Sequence, residues 1–233
     1  MSIIKNCRLC GAEGGHSMTL PLVSVLLCTH NSRELLPIAI DSYLSQNYPN
    51  RELVVVDDGD DLIEDMVKDI PNVQYHLFPA RVLSQKRNAG IRFARGGIIT
   101  HFDSDDWSGP ERITNQVDFM FGGNFKVVGY NKAYWYDIRK KITTYASCGV
   151  WGATLAYDRA WALKHPWNET QRMCEDVLFL NPVLKDNLLG ATNGDMNFVA
   201  LTHSNNAERP FGQYGWEIIS NDCLPSLFKI KYL

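Results

Sequence analysis

The first half of the chain alternates short, nearly continuous apolar runs with stretches of helical periodicity. Residues 22–28, within PLVSVLLCTHN, form an apolar run ending in polar residues, the pattern of a strand buried on both faces of a parallel sheet. After a turn over 31–37, Leu36, Ile40, Tyr43 and Leu44 fall at helical spacing, and Pro37 suits the first helical position. ELVVVDDGDD supplies a second buried strand over 53–56. Leu62, Ile63, Met66, Val67 and Ile70 then predict an amphipathic helix stopped by Pro71. A strand over 73–78 follows, then a helix over 84–95 ended by Gly96. An apolar strand over 97–102 leads to a helix opened by Pro110, with Ile113, Val117, Met120 and Phe121 on one face.

Strand and helix in alternation predict a doubly wound α/β fold with a mostly parallel sheet. In such sheets ligands bind at the carboxyl ends of the strands. Three of the predicted strands end in polar or acidic residues: Thr29 and Asn31, then Asp57 and Asp58, then Asp103, Asp105 and Asp106. The fold would bring these clusters to one edge.

The second half is less regular. Residues 126–136 and 141–145 read as an aromatic-rich hairpin with Arg139, Lys140 and Lys141 in a solvated turn. Strands are expected over 153–157 and 197–202, a short helix over 159–164 and a helix start at 174–180. From 205 onward the chain reads as a loop or lid followed by a short helix. Residues 1–19 form a polar, Gly-rich tail, and 20–233 a single domain.

Composition narrows the function without naming it. The 233 residues carry a net charge of −3, with 45% hydrophobic and 21% charged residues. These are ordinary globular values, with no global field to recruit nucleic acid or an anionic membrane. No apolar stretch approaches the roughly 18 residues of a membrane span, and the N-terminus lacks the apolar core of a secretory signal. Six scattered cysteines suit a reduced, cytoplasmic chain. Cys7-x-x-Cys10, with His16 near, resembles half a zinc knuckle. A structural zinc takes four ligands, so a tail or an intermolecular site is the alternative.

The acidic cluster carries the candidate chemistry. Close carboxylates repel unless a cation or proton offsets them. A hard ion such as Mg²⁺ or Mn²⁺ would bind one or two of Asp103, Asp105 and Asp106 together with substrate phosphate oxygens. The alternative is a solvated turn or helix start, which aspartate also favours. Asp57, after three valines, could accept a hydrogen bond from a base or ribose, and uracil offers an N–H donor.

PLVSVLLCTHN, ELVVVDDGDD and QKRNAGIRFARGGIITHFDSDDW, in that order, resemble the N-terminal motifs of glycosyltransferase family 2. The likeness runs from about residue 20 to 113, with weaker correspondence to about 203. It implies a GT-A fold, a three-layer α/β/α sandwich, in which 20–113 binds a nucleotide-sugar and 114–233 the acceptor. Thr29, Asn31 and Asp57 would line the nucleoside pocket, Arg87 would lie near the nucleotide, and Asp103 and Asp105 would form the D-x-D element holding ribose and metal. Asp105, Asp106 and His203 are the candidate metal ligands. Glu175-Asp176 resembles the family's later acidic pair, with Asp176 as general base; first-turn helix acids are the alternative reading. The implied reaction is an inverting transfer from a UDP-sugar to an acceptor hydroxyl. Glu208 and Arg209 would sit on a lid. Of Trp135, Trp151, Trp161 and Trp167, Trp151 is best placed to meet an acceptor sugar, the others suiting core packing. The acceptor is left open among polysaccharide, lipid-linked glycan, protein and modified nucleobase; a nucleic-acid partner is otherwise not expected. Two other readings compete: a nucleotidyltransferase, for which the basic Gly-rich loop is missing, and a non-catalytic nucleotide-sugar binder.

Overall fold

The computed structural model describes residues 19–80, 82–147, 149–170, 174–204 and 216–233. In chain order, β1 (Val23–Thr29), α1 (Leu36–Leu44), β2 (Arg51–Asp57), α2 (Glu64–Val67), β3 (Val73–Leu77), α3 (Leu83–Phe93) and β4 (Ile98–His101) make the regular first half. There follow β5 (Trp107–Ser108), α4 (Arg112–Gly122), β6 (Val127–Asp137), β7 (Ile142–Ser147), β8 (Ala156–Asp158) and α5 (Arg159–Lys164). The chain continues with α6 (Glu175–Lys185), β9 (Leu189–Asn193), β10 (Phe198–Thr202), β11 (Trp216–Ile219) and α7 (Ser226–Tyr232).

One curled sheet runs β11-β7-β6-β8-β4-β1-β2-β3, with β9 and β10 also paired to β6, and β5 paired to β10. It is parallel across β3, β2, β1 and β4. Antiparallel β8 joins that half to β6.

The near-continuous apolar runs of β1 and β2 have the cause expected of them: both faces are covered. Val23, Val25, Leu27, Leu53 and Val55 pack against α1, α2 and α4. Leu26, Val54 and Val56 pack against α3, α5 and α6. Helices on both faces make the three layers, and each fully buried Val or Leu contributes about 1.5–3 kcal/mol.

Several local expectations are corrected. The helix expected over 62–70 is only the four residues of α2, followed by a turn. Pro37 is the second helical residue, since Leu35 caps α1. Gly96 does not cap α3, which ends at Phe93 with an extended Ala94. A Cβ on Gly96 would lie 2.6 Å from the Leu22 carbonyl and 2.8 Å from the Ser24 nitrogen, so close approach to β1 requires glycine there. Phe121 turns outward, and Ile113, Val117 and Met120 form the buried face of α4 with Gln116. Helix α6 runs on to Lys185 through Pro182. Strands β5, β9 and β11 were not expected; β11 pairs antiparallel with β7 where a loop was anticipated.

At the amino edge of the parallel strands, Glu52 ties the layers together. It accepts hydrogen bonds from Ser24 Oγ (2.6 Å), the Arg95 amide (2.7 Å) and guanidinium (2.6 Å), and Gln74 (2.9 Å). The opposite, carboxyl edge is left for ligands.

Candidate active site

The QKRNAG stretch on α3 builds much of the site. Lys86 Nζ donates to the Thr29 carbonyl (2.8 Å) and to Asp58 (2.5 Å), pinning the ends of β1 and β2 together. Arg87 turns to the pocket. Asn88 clamps the segment carrying Trp167, donating to the Trp167 carbonyl and accepting from its amide, each at 2.9 Å. Gly90 brings α3 down onto Leu26.

Arg87 is almost wholly buried, yet it has two partners. Its guanidinium pairs with Glu175 at 3.0 Å and lies over the Trp167 ring, 4.3 Å from the centroid. Trp167 in turn stacks on Phe179, with centroids 4.0 Å apart and planes 4° from parallel. Trp167 therefore works from the core, holding an arginine rather than a sugar. Trp161 likewise belongs to the core on that face of the sheet.

A cavity of about 250 Å³ opens beside Arg87 and gathers Asp103, Asp105, Asp106, Glu175 and Asp176. These residues come from α3, the loop after β4 and the start of α6, so Arg87 and Asp176, 89 apart in sequence, share one cavity, which Trp151 also lines. Asp105 meets His203 at the end of β10, with Oδ2 3.0 Å from Nε2. Asp106 Oδ1 accepts from the Leu201 amide at 2.9 Å, so this carboxylate also anchors β10. Asp176 sits in the first turn of α6, after Cys174 in the left-handed region (φ 57°). Its Oδ1 accepts from the Val177 amide (2.9 Å) and its Oδ2 from the Gly152 amide (3.2 Å). Glu175 and Asp176 are thus first-turn acids of α6 that also line the cavity.

Thr29, Asn31 and Asp57 are not in the wall of that cavity. They form an interlocked corner at the ends of β1 and β2, where Thr29 and Asp57 are register partners. The Asp57 carboxylate is fully buried and accepts from the Gly59 amide (3.0 Å), the Ile63 amide (3.3 Å) and the Tyr75 hydroxyl (2.7 Å). Asn31 adopts φ 49° and its Oδ1 accepts from the Asp60 and Asp61 amides. Among the described residues the buried Thr29 hydroxyl has no hydrogen-bond partner, leaving polar capacity at the strand end.

Sequence reasoning passed over Lys86, His101 and Arg112, all buried beside the site. Lys86 and Arg112 lie in or next to stretches that drew attention for other reasons. His101 lies inside an apolar strand and gave no signal. Arg112 donates to the carbonyls of His101 and Ala153 and to Ser108 Oγ, each at 2.7 Å, with the rings of Phe102 and Phe198 against its guanidinium. Cys28, on β1, has its thiol pushed up to about 12 by burial, against the opposing pull of Arg87 and Lys86, so it stays a protonated packing residue.

Among the described residues no group of three His, Cys, Asp or Glu side chains is set to hold a metal. The Asp105–His203 pair nevertheless fits a divalent ion, since Mg²⁺ and Mn²⁺ need few protein ligands when a diphosphate supplies the rest. Asp106 is committed in part to the Leu201 amide. The candidate zinc ligands Cys7, Cys10 and His16, and the candidate lid residues Glu208 and Arg209, lie outside the described residues. Among the described residues no helix is long and apolar enough to cross a membrane.

A doubly wound α/β fold with an acidic cavity at the carboxyl edge of its parallel strands defines a ligand-binding protein of the nucleotide-binding class. The comparisons with known proteins sharpen this. The model of glycosyl transferase family 2 matches residues 24–165, and the chain belongs to that family and is a glycosyltransferase. It is 26% identical, over 91% of its own length and 90% of the relative's, to the Escherichia coli UDP-Glc:alpha-D-GlcNAc-diphosphoundecaprenol beta-1,3-glucosyltransferase WfgD. It is 30% identical to the E. coli enzyme of the same description, WfaP, over 43% of this chain and 42% of that one. Among solved structures it resembles Staphylococcus aureus TarS 1–349 in complex with UDP-GlcNAc, with a TM-score of 0.64 and 19% identity over 79% of this chain and 59% of that one. It also resembles the mannosyltransferase PcManGT of Pyrobaculum calidifontis in complex with GDP-Man and Mn²⁺, with a TM-score of 0.64 and 16% identity over 79% and 57%. The chain thus spans less than two thirds of either structure. The fold is GT-A.

Proposed function

We propose that the protein transfers a sugar from a nucleotide-diphosphate sugar, a UDP-sugar, to a hydroxyl of an acceptor glycan, by a single displacement that inverts the anomeric centre. The observation that carries this reading is the one cavity holding Arg87, the Asp103–Asp106 acids and the Glu175–Asp176 pair.

Thr29, Asn31 and Asp57 shape the nucleoside corner. Asn31 and Asp57 do so by fixing the loops, and Thr29 through a hydroxyl that no described residue engages. Asp103 and Asp105 face the ribose and diphosphate. Asp105 and His203 would hold Mn²⁺ or Mg²⁺, with Asp106 beside them. Bound there, the ion offsets negative charge on the diphosphate leaving group. Arg87, kept rigid by Glu175 and Trp167, adds a fixed cation on the nucleotide side. Asp176 takes the proton of the acceptor hydroxyl as its oxygen attacks the anomeric carbon. The amides of Gly152 and Val177 hold this carboxylate in one orientation. Trp151 lines the cavity next to Gly152 and offers an aromatic face to the acceptor sugar.

The names of WfgD and WfaP make UDP-glucose the first donor to try, and a GlcNAc-diphosphate-lipid the first acceptor. The decisive comparison is Asp176→Asn against wild type. UDP-sugar affinity, read by calorimetry, should stay within twofold while turnover, read as UDP release, falls by about 10²–10⁴. Turnover unchanged in Asp176→Asn would remove this residue from the mechanism.

A further inference from the structure

The Gly152 peptide that holds Asp176 is itself held from beneath. Gly152 opens a 3-10 turn, Gly152–Thr154, in the wall of the cavity. The glycine lets this backbone lie close against the guanidinium: a Cβ would stand 3.1 Å from Arg87 Nη2 and in ordinary contact, 3.4 Å, with the Asp176 Cβ. That close approach comes with the widest backbone freedom of any residue. An amide that is to orient a carboxylate needs this freedom removed.

Buried side chains remove it on both sides of the glycine. On the amide side, the Trp151 carbonyl accepts from the Thr154 amide (3.0 Å) and from Thr154 Oγ1 (2.9 Å). On the other side, His101 Nδ1 lies 2.8 Å from the Gly152 carbonyl oxygen. A carbonyl can only accept, so Nδ1 carries the proton. Nε2, 2.7 Å from the Tyr157 hydroxyl, is then the acceptor of that O–H. The ring is locked in one tautomer and one orientation. Burial first, then the neighbouring guanidiniums of Arg87 and Arg112, keep the imidazole neutral, its pKa well below the ordinary histidine value. Further along the turn, Arg112 and Gln116 take the Ala153 and Thr154 carbonyls, each at 2.7 Å.

We propose that His101 is a positioning residue for the transfer: through the Gly152 carbonyl it fixes the glycine whose amide orients Asp176, while touching no substrate itself. The inference rests on the reading of Asp176 as the base. It assigns a role to a buried histidine that the proposed mechanism otherwise leaves unused.

The test compares His101→Leu, His101→Asn and Tyr157→Phe with wild type and with Asp176→Asn. Turnover is read as UDP release from whichever of UDP-glucose, UDP-GlcNAc and UDP-galactose the wild type turns over fastest. It is normalised to donor-binding sites counted by calorimetry, so that unfolded protein does not register. His101→Leu should lower kcat about 10- to 100-fold with donor KM within twofold, the signature of a misplaced base. Asparagine can present an N–H near the place of Nδ1, so His101→Asn should recover most of the loss. Tyr157→Phe, nearly isosteric, should show a smaller fall in the same direction; it decides the matter if His101→Leu fails to fold. A wild-type kcat in His101→Leu, or in Tyr157→Phe where that variant decides, overturns the proposal while leaving Asp176 in place. So does a loss in His101→Leu that asparagine does not recover. Full turnover in Asp176→Asn overturns the base assignment, and this proposal falls with it.

Discussion

At the scale of single residues, the site shows how differently carboxylates are used once their surroundings are set. Asp57 and Glu52 belong to one strand, β2, and both are buried. Asp57 organises the corner at the ligand edge, whereas Glu52 locks the far edge. Burial alone would raise the pKa of Glu52, but hydrogen bonds from Ser24, Arg95 and Gln74 outweigh it and hold the carboxyl below its ordinary 4.5. The sign follows from linkage: a carboxyl depressed in the folded state lends stability that is fully present above its unfolded value and is lost as pH falls through the folded one. Glu52→Gln should therefore cost about 1–3 kcal/mol at pH 7, where buried donors lose a charged acceptor. The gap from wild type should narrow as pH drops below 4.5. Urea midpoints at pH 7 and in steps below 4.5 would measure it. A gap that does not change with pH would show that the ionised form of Glu52 contributes nothing.

Among the elements, α3 does the most with the fewest residues. Four consecutive positions, 86–89, carry two site cations, a clamp on the Trp167 segment and a small residue against the sheet, and Gly90 follows to let the helix close on β1. Chain geometry at the end of this element is equally strict. The two nearest backbone atoms to a Cβ on Gly96 are the Leu22 oxygen and the Ser24 nitrogen, and neither can swing away as a side chain would. Gly96→Ala should thus destabilise by about 1–3 kcal/mol. In a chain of this size that lowers Tm by roughly 5 °C. Gly97, beside which a Cβ would meet nothing within 4 Å, is the internal control: Gly97→Ala should leave Tm within about 1 °C, and equal losses at the two positions would refute the clash argument.

At the scale of the whole molecule, the acidic cavity joins parts of the chain that the sheet alone holds apart. Asp105 follows β4 in the parallel half and His203 follows β10 beside β6, and their side chains meet at 3.0 Å. A cation and diphosphate bound there would bind only the folded chain. UDP with Mn²⁺ at about 100 times Kd should then stabilise by about 2.7 kcal/mol. That corresponds to a rise in Tm of roughly 5–10 °C. EDTA should cancel the Mn²⁺-dependent part, and Asp105→Ala should remove it while leaving any shift from UDP alone. A metal-dependent shift of full size in Asp105→Ala would exclude this carboxylate as a ligand.

Much of the architecture was legible because burial writes itself into the chain as periodicity. β1, β2 and β4, sandwiched between two helical layers, appear as apolar runs, and the acids after β4 fall where the cavity opens. β5, β9 and β11 were not legible. They are short or of mixed polarity (WS, LGATN, WEII), and their state is decided by the strands they pair with, β10, β6 and β7. Phe121 fits the apolar spacing of α4, yet faces outward because the sheet covers only the other side of the helix. The acids after β4 and at the head of α6 could be named from sequence, since their types and order are local. Their assembly with Arg87 in one cavity, the support of Arg87 by Trp167 and the grip of His101 on Gly152 could not. The local pattern of the chain determined its layers and the polar ends of its parallel strands. Tertiary structure alone decided which side chains face one another, because distances between residues far apart in sequence exist only once the sheet has brought them together.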